Sequence, residues 1–458
     1  MIILGLLVTF LPVCAQTDTL TIERCRTLAL QNNKELKSAE LLVDKAMHTS
    51  KSTRALFFPD LSLNGFAGYS SGSGALGIDL TPMLGMAGQM IDALHGAGTS
   101  AYIAQQYGGA IPKEMDVDYE IGWVYGASLM LKQPIFMGGK IAAGYRMSRL
   151  AVSMGLQNRI RTEAEIIERT DEAYAMLVKA NELRHVAQKY KELLVELDRN
   201  VESAVRHGMS LETERCKVQV KLSDAELQLK RAENAIRLAT MNLCHIIGSP
   251  LTEKPVVSSV YPVVDDAHFL HDGDVTLRPE YALLDYQVQI ASEKEKIVRS
   301  EMLPQLALLA TYGYTKGVQV MDKPLMDSWS FTGGVTLSVP LYHFGERTHK
   351  LKAARLEKEQ AKLEREEKAE MMQLELTKAS NNLDEASLEC ELAEKSLCQA
   401  EKNMEVSHKQ YLAGTETLSN YLEAQLIWQQ AHQTRIEANF QHYLSGVRYL
   451  KAAGKLVE

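Results

Sequence analysis

Apolar and polar residues along this chain follow a helical period, then a strand period, and then a helical period over a much longer run. This order occurs twice. In the first copy, Thr21 is placed to cap a helix that has Glu23 in its first turn. The helical pattern continues to Phe57 or Phe58, where Pro59 ends it. The chain is therefore predicted to be mainly α, with a pair of strands inserted into each copy.

Four segments alternate apolar and polar residues with the period of a strand. They are 60–69, 123–133, 304–314 and 328–339. Each has roughly 10–12 residues, the length that a tilted strand needs to cross a bilayer. Aromatic residues gather toward one end of these strands, as in an interfacial girdle: Tyr69, Trp123, Tyr125, Tyr314, Trp329 and Phe331.

The four strands fit either a membrane or a soluble sheet packed on helices. Serine, threonine and glycine lie regularly opposite the apolar face, which favours the membrane. A sheet in lipid must close into a barrel, and four strands are too few to close. Several copies of the chain are then required, and the pattern leaves two, three or four copies open.

A helical run of about 65 residues follows each strand pair, and apolar residues form a heptad seam along it. The first seam contains Leu183, Ala187, Tyr190, Leu194, Leu197, Val201 and Ala204. The second contains Leu376, Ala379, Leu383, Ala386, Cys390, Ala393, Leu397, Ala400 and Met404. Gly208 and Gly414 then offer the left-handed backbone at which a helix reverses. Each copy is expected to end in a long helical hairpin.

The two copies align almost without gaps. A shift of 245 positions carries 58–63 onto 303–308, and a shift of 206 carries 134–139 onto 340–345. The second shift also carries Gly208 onto Gly414 and Gly248 onto Gly454. The predicted organisation is a signal peptide at 1–15, a first repeat at 16–248, a linker at 249–276, a second repeat at 277–454 and a tail at 455–458. The first repeat carries an insertion within 73–118 that is predicted to be extracellular.

The leader ends in Val13-Cys14-Ala15, which suits cleavage after Ala15. Lipidation of Cys14 stays an alternative, although Pro12-Val13 fits it poorly. The linker contains six acidic and histidine residues that could ligate a metal: Asp265, Asp266, His268, His271, Asp272 and Asp274. A solvated linker whose last aspartate caps a helix near Leu277 is favoured, so neither a metal nor a cofactor is predicted.

Composition excludes several other functions. The net charge is −8, and both signs are interleaved along the helices without a basic stripe, which argues against nucleic-acid binding. The cysteines remaining after the leader are odd in number and have no CxxC spacing, so the sequence supports neither a disulfide framework nor a zinc site. No dinucleotide, phosphate-loop, zinc-protease or serine-hydrolase motif stands in a suitable context, and no catalytic residue can be named.

Motifs placed in order along both repeats carry a family resemblance. They include Leu20-Thr21-Ile22-Glu23, Leu277-Arg278-Pro279-Glu280 and Tyr411-Leu412-Ala413-Gly414. Four prolines stand where strands and helices are expected to meet: Pro59, Pro134, Pro304 and Pro340. With this doubled set, the chain resembles the TolC-type outer-membrane efflux proteins, or outer membrane factors, over essentially all of its length after the leader.

The resemblance implies a homotrimer with a β-barrel of about 12 strands in outer-membrane lipid, continued by a periplasmic α-helical barrel. It also implies that the hairpin tips dock to a periplasmic adaptor, which is joined to an inner-membrane pump of the RND or ABC type. The docking residues would be Arg206, His207, Gly208, Tyr411 and Gly414. The first tip lacks the aromatic residue of the family.

In the family, acidic residues just after the second tip narrow the pore. The matching positions are Asn420 and Glu423, so one expected acid is an amide here. The function implied is a passive outer-membrane exit duct for small molecules. The alternatives are the outer-membrane channel of a type I protein secretion system and, in another class, a structural coiled-coil protein of the envelope.

Overall fold

The structure is a computed structural model that describes residues 20–107, 112, 114–253, 255–257, 261, 274–320, 323–324 and 327–457. The predicted signal peptide, Cys14 and all the candidate linker ligands except Asp274 lie outside these residues. The chain divides into two compact units. One comprises Met1–Ser50, Met147–Ser292 and Arg355–Glu458, and the other comprises Lys51–Arg146 and Glu293–Ala354.

The helices are α1 Ile22–Asn32, α2 Lys34–Ala55, α3 Thr81–His95, α4 Thr99–Tyr107, α5 Lys140–Arg206, α6 Glu212–Ile247, α7 Pro279–Ser300, α8 Glu346–Leu412 and α9 Leu418–Ala452. The strands are β1 Asp60–Tyr69, β2 Ser73–Asp79, β3 Glu114–Met137, β4 Gln305–Val320, β5 Lys323–Pro324 and β6 Asp327–Ser338. No helix among the described residues is long and apolar enough to cross a membrane.

The single helix predicted after Thr21 is in fact two helices. The Thr21 hydroxyl caps α1, as expected, by accepting a hydrogen bond from the Arg24 amide. At Asn33, however, the backbone is extended, with ψ 130°. The Asn33 side chain accepts a 2.8 Å hydrogen bond from the Glu35 amide and so caps α2. An asparagine inside an apolar helical pattern was the missed signal of a helix boundary.

Asp274 was predicted to cap the helix near Leu277, and this placement was also wrong in detail. Its carboxylate accepts a hydrogen bond from the Thr276 amide and caps a separate 3-10 turn, Val275–Leu277. Helix α7 begins only at Pro279, whose missing N–H costs nothing in the first turn of a helix.

The long hairpins form as predicted. Helices α5 and α8 have 67 residues each, about 100 Å at 1.5 Å per residue. The glycines that the repeat aligns have matching left-handed backbones, with φ +72° at Gly208 and Gly414 and φ +75° and +74° at Gly248 and Gly454. Gly139 and Gly345 both have φ +86°. The repeat is therefore present in the backbone as well as in the sequence.

The predicted seams are buried in the helical unit. Tyr190, Leu194, Leu197 and Val201 of α5 pack with Leu418, Tyr421 and Leu422 of α9 in one apolar cluster. On α8, Leu376, Leu383, Ala386, Ala393, Leu397 and Ala400 are each less than a tenth exposed. A second cluster packs α1 on α5 and α6 around Cys25, Tyr174 and Leu243. Burial of these stripes, at roughly 25 cal/mol per Å² of apolar surface, holds the helices together. Ion pairs between helices, such as that of Lys179 on α5 with Glu437 on α9, add to this packing.

The second unit contains an antiparallel sheet. Strand β3 lies between β1 and β4, and β4 also pairs with β6, so the main order is β1-β3-β4-β6. Tyr69 lies opposite Trp123 and Tyr314 opposite Trp329, which confirms that the aromatic residues share one end of the strands. Alternate side chains of β6 are exposed and apolar, among them Trp329, Phe331 and Val335.

Pro134 was predicted to stand at a junction between a strand and a helix, and this prediction was wrong. It lies inside β3, which continues to Met137, and the pairing with β4 shifts register between Pro134 and Phe136. Proline has no N–H to donate to the ladder, so it produces an irregularity without ending the strand. Pro59 and Pro304 do stand directly before β1 and β4, and Pro340 follows β6.

The insertion within 73–118 has its own structure. Strand β2 pairs with the first part of β3, from Ser73 opposite Glu120 to Asp79 opposite Glu114. Helices α3 and α4 follow, and the Asp92 carboxylate joins them by accepting hydrogen bonds from the Ser100 amide and hydroxyl, at 2.7 and 2.6 Å. Its extracellular location stays a prediction.

Candidate functional site

The two hairpin tips end α5 and α8 with the same backbone motif. The Gly208 amide donates to the Val205 carbonyl and the Gly414 amide to the Tyr411 carbonyl, both at 3.0 Å. The next amides, of Met209 and Thr415, reach the carbonyls five residues back, at 2.8 and 3.0 Å. These bonds satisfy the last carbonyls of each helix, and the glycine supplies the left-handed residue.

The first tip presents apolar side chains to solvent. Met209 is 78% exposed and Leu211 is 69% exposed. The His207 ring contributes to the turn itself, because its Nδ1 lies 2.7 Å from the Ser203 carbonyl oxygen. Arg206 is exposed beside it. Met209 and Leu211 are therefore exposed apolar tip residues that the sequence prediction did not name, and their spacing across Ser210 was the available signal.

Tyr411, predicted as a docking residue, packs against its own chain. Its ring stacks on Tyr421 with centroids 5.1 Å apart and planes at 12°. The Tyr421 hydroxyl lies 2.8 Å from Nδ1 of His408. Burial raises the pKa of both tyrosines, so both rings stay neutral. The aromatic cluster fixes the start of α9 against the end of α8.

The two predicted constriction residues share one exposed face of α9. Asn420 and Glu423 are both exposed, whereas Tyr421 and Leu422 between them are buried, as is the preceding Leu418. The Asn420 amide belongs to the helix cap, since it donates to the Thr417 hydroxyl at 3.3 Å. A helix face that is polar and unburied in one protomer is available to line a passage.

A buried polar layer lies between α9 and α6, about one and two turns along α9 from the exposed face of Asn420 and Glu423. Gln425 is fully buried and Gln429 is 3% exposed. The Gln429 side-chain amide donates to Gln228 on α6. Buried amides in a helical bundle fix the register of the packed helices at some expense of stability. The sequence prediction missed this layer, which interrupts the apolar pattern of α9.

A cavity of ≈ 1290 Å³ lies within the helical unit, between α5, α6 and α9. Its walls include Glu182, Arg435, His432 and Trp428. Burial raises the pKa of Glu182, although Arg435 opposes the shift, and burial lowers the pKa of His432. Across the described part of the chain, no three His, Cys, Asp or Glu side chains are grouped to hold a metal.

Comparison with known proteins decides the family. The model of the family described as "Outer membrane efflux protein" matches residues 26–249 and 278–454, which are the two repeats. The chain belongs to this family.

Individual relatives agree with the outer membrane efflux family. The chain is 23% identical over 330 residues to the pyoverdine export outer membrane protein OpmQ of Pseudomonas aeruginosa, covering 70% of this chain and 67% of OpmQ. It is also 23% identical over 355 residues to the alkaline protease secretion protein AprF of the same organism, covering 75% of this chain and 72% of AprF.

The fold also matches solved channels. The Campylobacter jejuni CmeC outer membrane channel superposes with a TM-score of 0.74 at 19% identity, covering 95% of this chain and 86% of that one. This outer membrane efflux protein therefore has the fold of a known outer-membrane channel, as the sequence predicted. Its location is the outer membrane and its role is efflux.

Proposed function

We propose that this outer membrane efflux protein is a passive exit duct in a tripartite system, assembled from three copies. An inner-membrane pump would supply the energy, and a periplasmic adaptor would join the pump to the hairpin tips. The duct itself would conduct small molecules without chemistry, so that substrate choice would reside in the pump.

The proposal rests on the two unpaired outer edges of the sheet, those of β1 and β6. Among the described residues, β1 pairs with β3 alone and β6 with β4 alone, so both outer strands keep an open edge. An open edge in lipid leaves backbone groups unpaired, at a cost of several kcal/mol for each group. Joining copies edge to edge removes every open edge. Three copies give a barrel of about 12 strands, within the range of known outer-membrane barrels.

The tips are proposed as the adaptor contact because they combine a rigid turn with exposed apolar side chains. Met209 and Leu211 are solvent-exposed at the first tip, and Leu412 is 64% exposed at the second. Exposed apolar groups at a fixed turn are typical of a protein interface. Arg206, His207, Gly208, Tyr411 and Gly414 would hold these turns in shape.

A second candidate function is export of a protein in a type I secretion system. The similarity to AprF, a protein named for alkaline protease secretion, favours it as specifically as the similarity to OpmQ favours small-molecule export. Deleting the gene and comparing the secreted proteins with the sensitivity of cells to toxic small molecules separates the two functions.

The tip contact is tested with Met209→Ser in cells that depend on this duct. We expect reduced efflux with an unchanged amount of assembled protein, because an exposed tip side chain adds little to folding. Met86→Ser is the matched control, since Met86 is a 66% exposed methionine on the insertion. Equal efflux by parent, Met209→Ser and Met86→Ser would argue against docking at this tip.

A further inference from the structure

Two equivalent turns follow the second strand of each repeat, and they carry different side chains. The shift of 206 positions places Gly138 on Phe344. Both residues have a left-handed backbone, with φ +60° at Gly138 and φ +48° at Phe344. The chain path is therefore shared, but a bulky aromatic replaces the residue for which this backbone is easy.

In the first repeat, this turn is seated against the second repeat. A Cβ atom at Gly138 would lie only 2.6 Å from the Ser300 carbonyl oxygen and 3.0 Å from Cβ of Leu303. The adjoining Met137 pairs with Gln305 at the start of β4. The backbone at Gly138 thus packs directly on the junction between α7 and β4.

In the second repeat, the side chains of the equivalent turn are exposed to solvent. Phe344 is 90% exposed, Leu341 is 89% exposed and Tyr342 is 74% exposed. Phe344 is also the one non-glycine residue with positive φ in the described part of the chain. The Phe344 ring packs edge-on against the ring of Tyr342, with centroids 4.8 Å apart. An exposed pair of aromatic rings on a strained backbone indicates a contact made outside the protomer.

The repeat identifies the surface that Phe344 would meet. A shift of 245 positions converts Ser300 and Leu303 into Ala55 and Phe58, at the junction between α2 and β1. This junction is also exposed and apolar, with Leu56 at 57% and Phe58 at 60%. The chain cannot bring its own β1 to its own β6, because they lie at opposite ends of a sheet too small to close. The surface must belong to a second copy.

The ion pairs beside the turn within the chain also have no equivalent at the proposed contact between copies. Within the chain, Glu293 of α7 binds Arg146 at 2.9 Å and Lys296 at 2.6 Å. The equivalent positions between copies are His48, Lys352 and Lys51, which include no carboxylate. The ion pairs cannot be repeated, so an apolar contact is needed in their place.

We propose that Phe344 of one copy packs on Ala55 and Phe58 of a second copy, while residues 340–343 extend β6 along the open edge of that copy's β1. The inference rests on the proposed function only in requiring several copies. It adds a specific aromatic anchor that the equivalent contact within the chain cannot have, because Gly138 leaves no room for a side chain.

Disulfide trapping tests the contact in the full-length protein, with the exposed Cys216 and Cys398 replaced by serine. Oxidation of the Phe344→Cys and Phe58→Cys double variant should give covalent dimers and trimers on denaturing gels. Phe344→Cys combined with Met47→Cys is the matched control, because Met47 lies exposed on α2 more than two turns earlier. We expect no covalent oligomer from the control or from either single variant.

Light scattering of the unoxidised variants shows independently whether copies assemble. If they assemble as trimers but the 344–58 pair does not cross-link, the anchor is wrong and the proposed function stands.

Heat dissociation of the trimer gives a second criterion. Phe344→Gly relieves the left-handed backbone, so it should stabilise the trimer if strain alone matters. Loss of the anchor predicts a lower dissociation temperature. A higher or unchanged temperature, or quenching of Phe344→Trp fluorescence by brominated lipid, would overturn the proposal in favour of free or lipid-facing rings.

Discussion

Two glycines with nearly the same backbone angle allow strain to be separated from packing. Gly248 ends α6 with φ +75°, and Gly414 ends α8 with φ +72°. A Cβ atom at Gly248 would lie 2.5 Å from Cβ of Asn32, whereas nothing lies within 4 Å of one at Gly414. We therefore predict that Gly248→Ala destabilises the protein much more than Gly414→Ala does.

The expected magnitudes follow from four contributions to the free energy of unfolding. Placing alanine in the left-handed region costs about 1–2 kcal/mol, and reduced freedom of the unfolded chain returns about 0.4–1 kcal/mol. Gly414→Ala should therefore cost roughly 1 kcal/mol. Gly248→Ala adds overpacking of about 1–3 kcal/mol. It also disturbs the 3.3 Å hydrogen bond that the side-chain amide of Asn32 donates to the Ile247 carbonyl, worth about 1 kcal/mol. The total at Gly248 is roughly 3–5 kcal/mol.

The assay is guanidinium denaturation of the detergent-solubilised protein at 25 °C, followed by the circular dichroism of the helices. Substitution by asparagine separates the contributions further, because asparagine tolerates the left-handed region. Gly414→Asn should resemble the parent, whereas Gly248→Asn should remain destabilised by the clash. Equal losses for the two alanine variants would refute the reasoning, since strain would then account for the whole effect.

Three further predictions concern charges. Asp171 is fully buried and accepts two hydrogen bonds from the Arg26 guanidinium, so Asp171→Asn should destabilise by about 3 kcal/mol in the same assay. Burial alone would raise the pKa of Glu293, but hydrogen bonds from Lys296 and Arg146 hold it below its ordinary value. The stabilisation from these contacts is complete above the unfolded pKa of about 4.3 and is lost as pH falls through the lower folded pKa. Glu293→Gln should therefore lower the free energy of unfolding at pH 7 and make that free energy fall less steeply as the pH is lowered. Glu423→Gln should weaken divalent block in single-channel recordings if the exposed face of α9 lines the pore.

Each of these has a control or a contradicting result. Glu35→Gln breaks the exposed ion pair with Arg169 and should cost less than about 1 kcal/mol, so an equal cost for Asp171→Asn would contradict the role of burial. Parallel acid profiles for Glu293→Gln and the parent would show that its carboxylate is not linked to folding. Unchanged block and cation preference in Glu423→Gln would place the constriction elsewhere.

The features that sequence could predict are those fixed by local periodicity. Glycines that recur at the same offset mark turns that need a left-handed residue, and Gly208 and Gly414 adopt it with the same hydrogen bonds. Heptad spacing identifies the buried side of a helix because that side is set by 3.6 residues per turn. Alternation along β6 likewise fixed which side chains share a face.

Features that depend on partners distant in sequence could not be predicted in this way. Pro134 reads as a strand end, but β4 continues to pair beyond it. The buried Gln429 of α9 donates a hydrogen bond to Gln228 of α6, which is 201 positions away in sequence. Nothing local distinguishes Phe344 from a core aromatic. Its exposure follows from the open outer edge of β6, because among the described strands β6 pairs with β4 alone.

Recording from planar bilayers tests the central claim, the exit duct, most directly. Purified protein that migrates as a heat-labile trimer on denaturing gels should insert into the bilayer and produce uniform steps of conductance. The same preparation, once heated to dissociate the trimer, should produce none. A stable monomer that keeps its folded strands and never conducts would contradict the account.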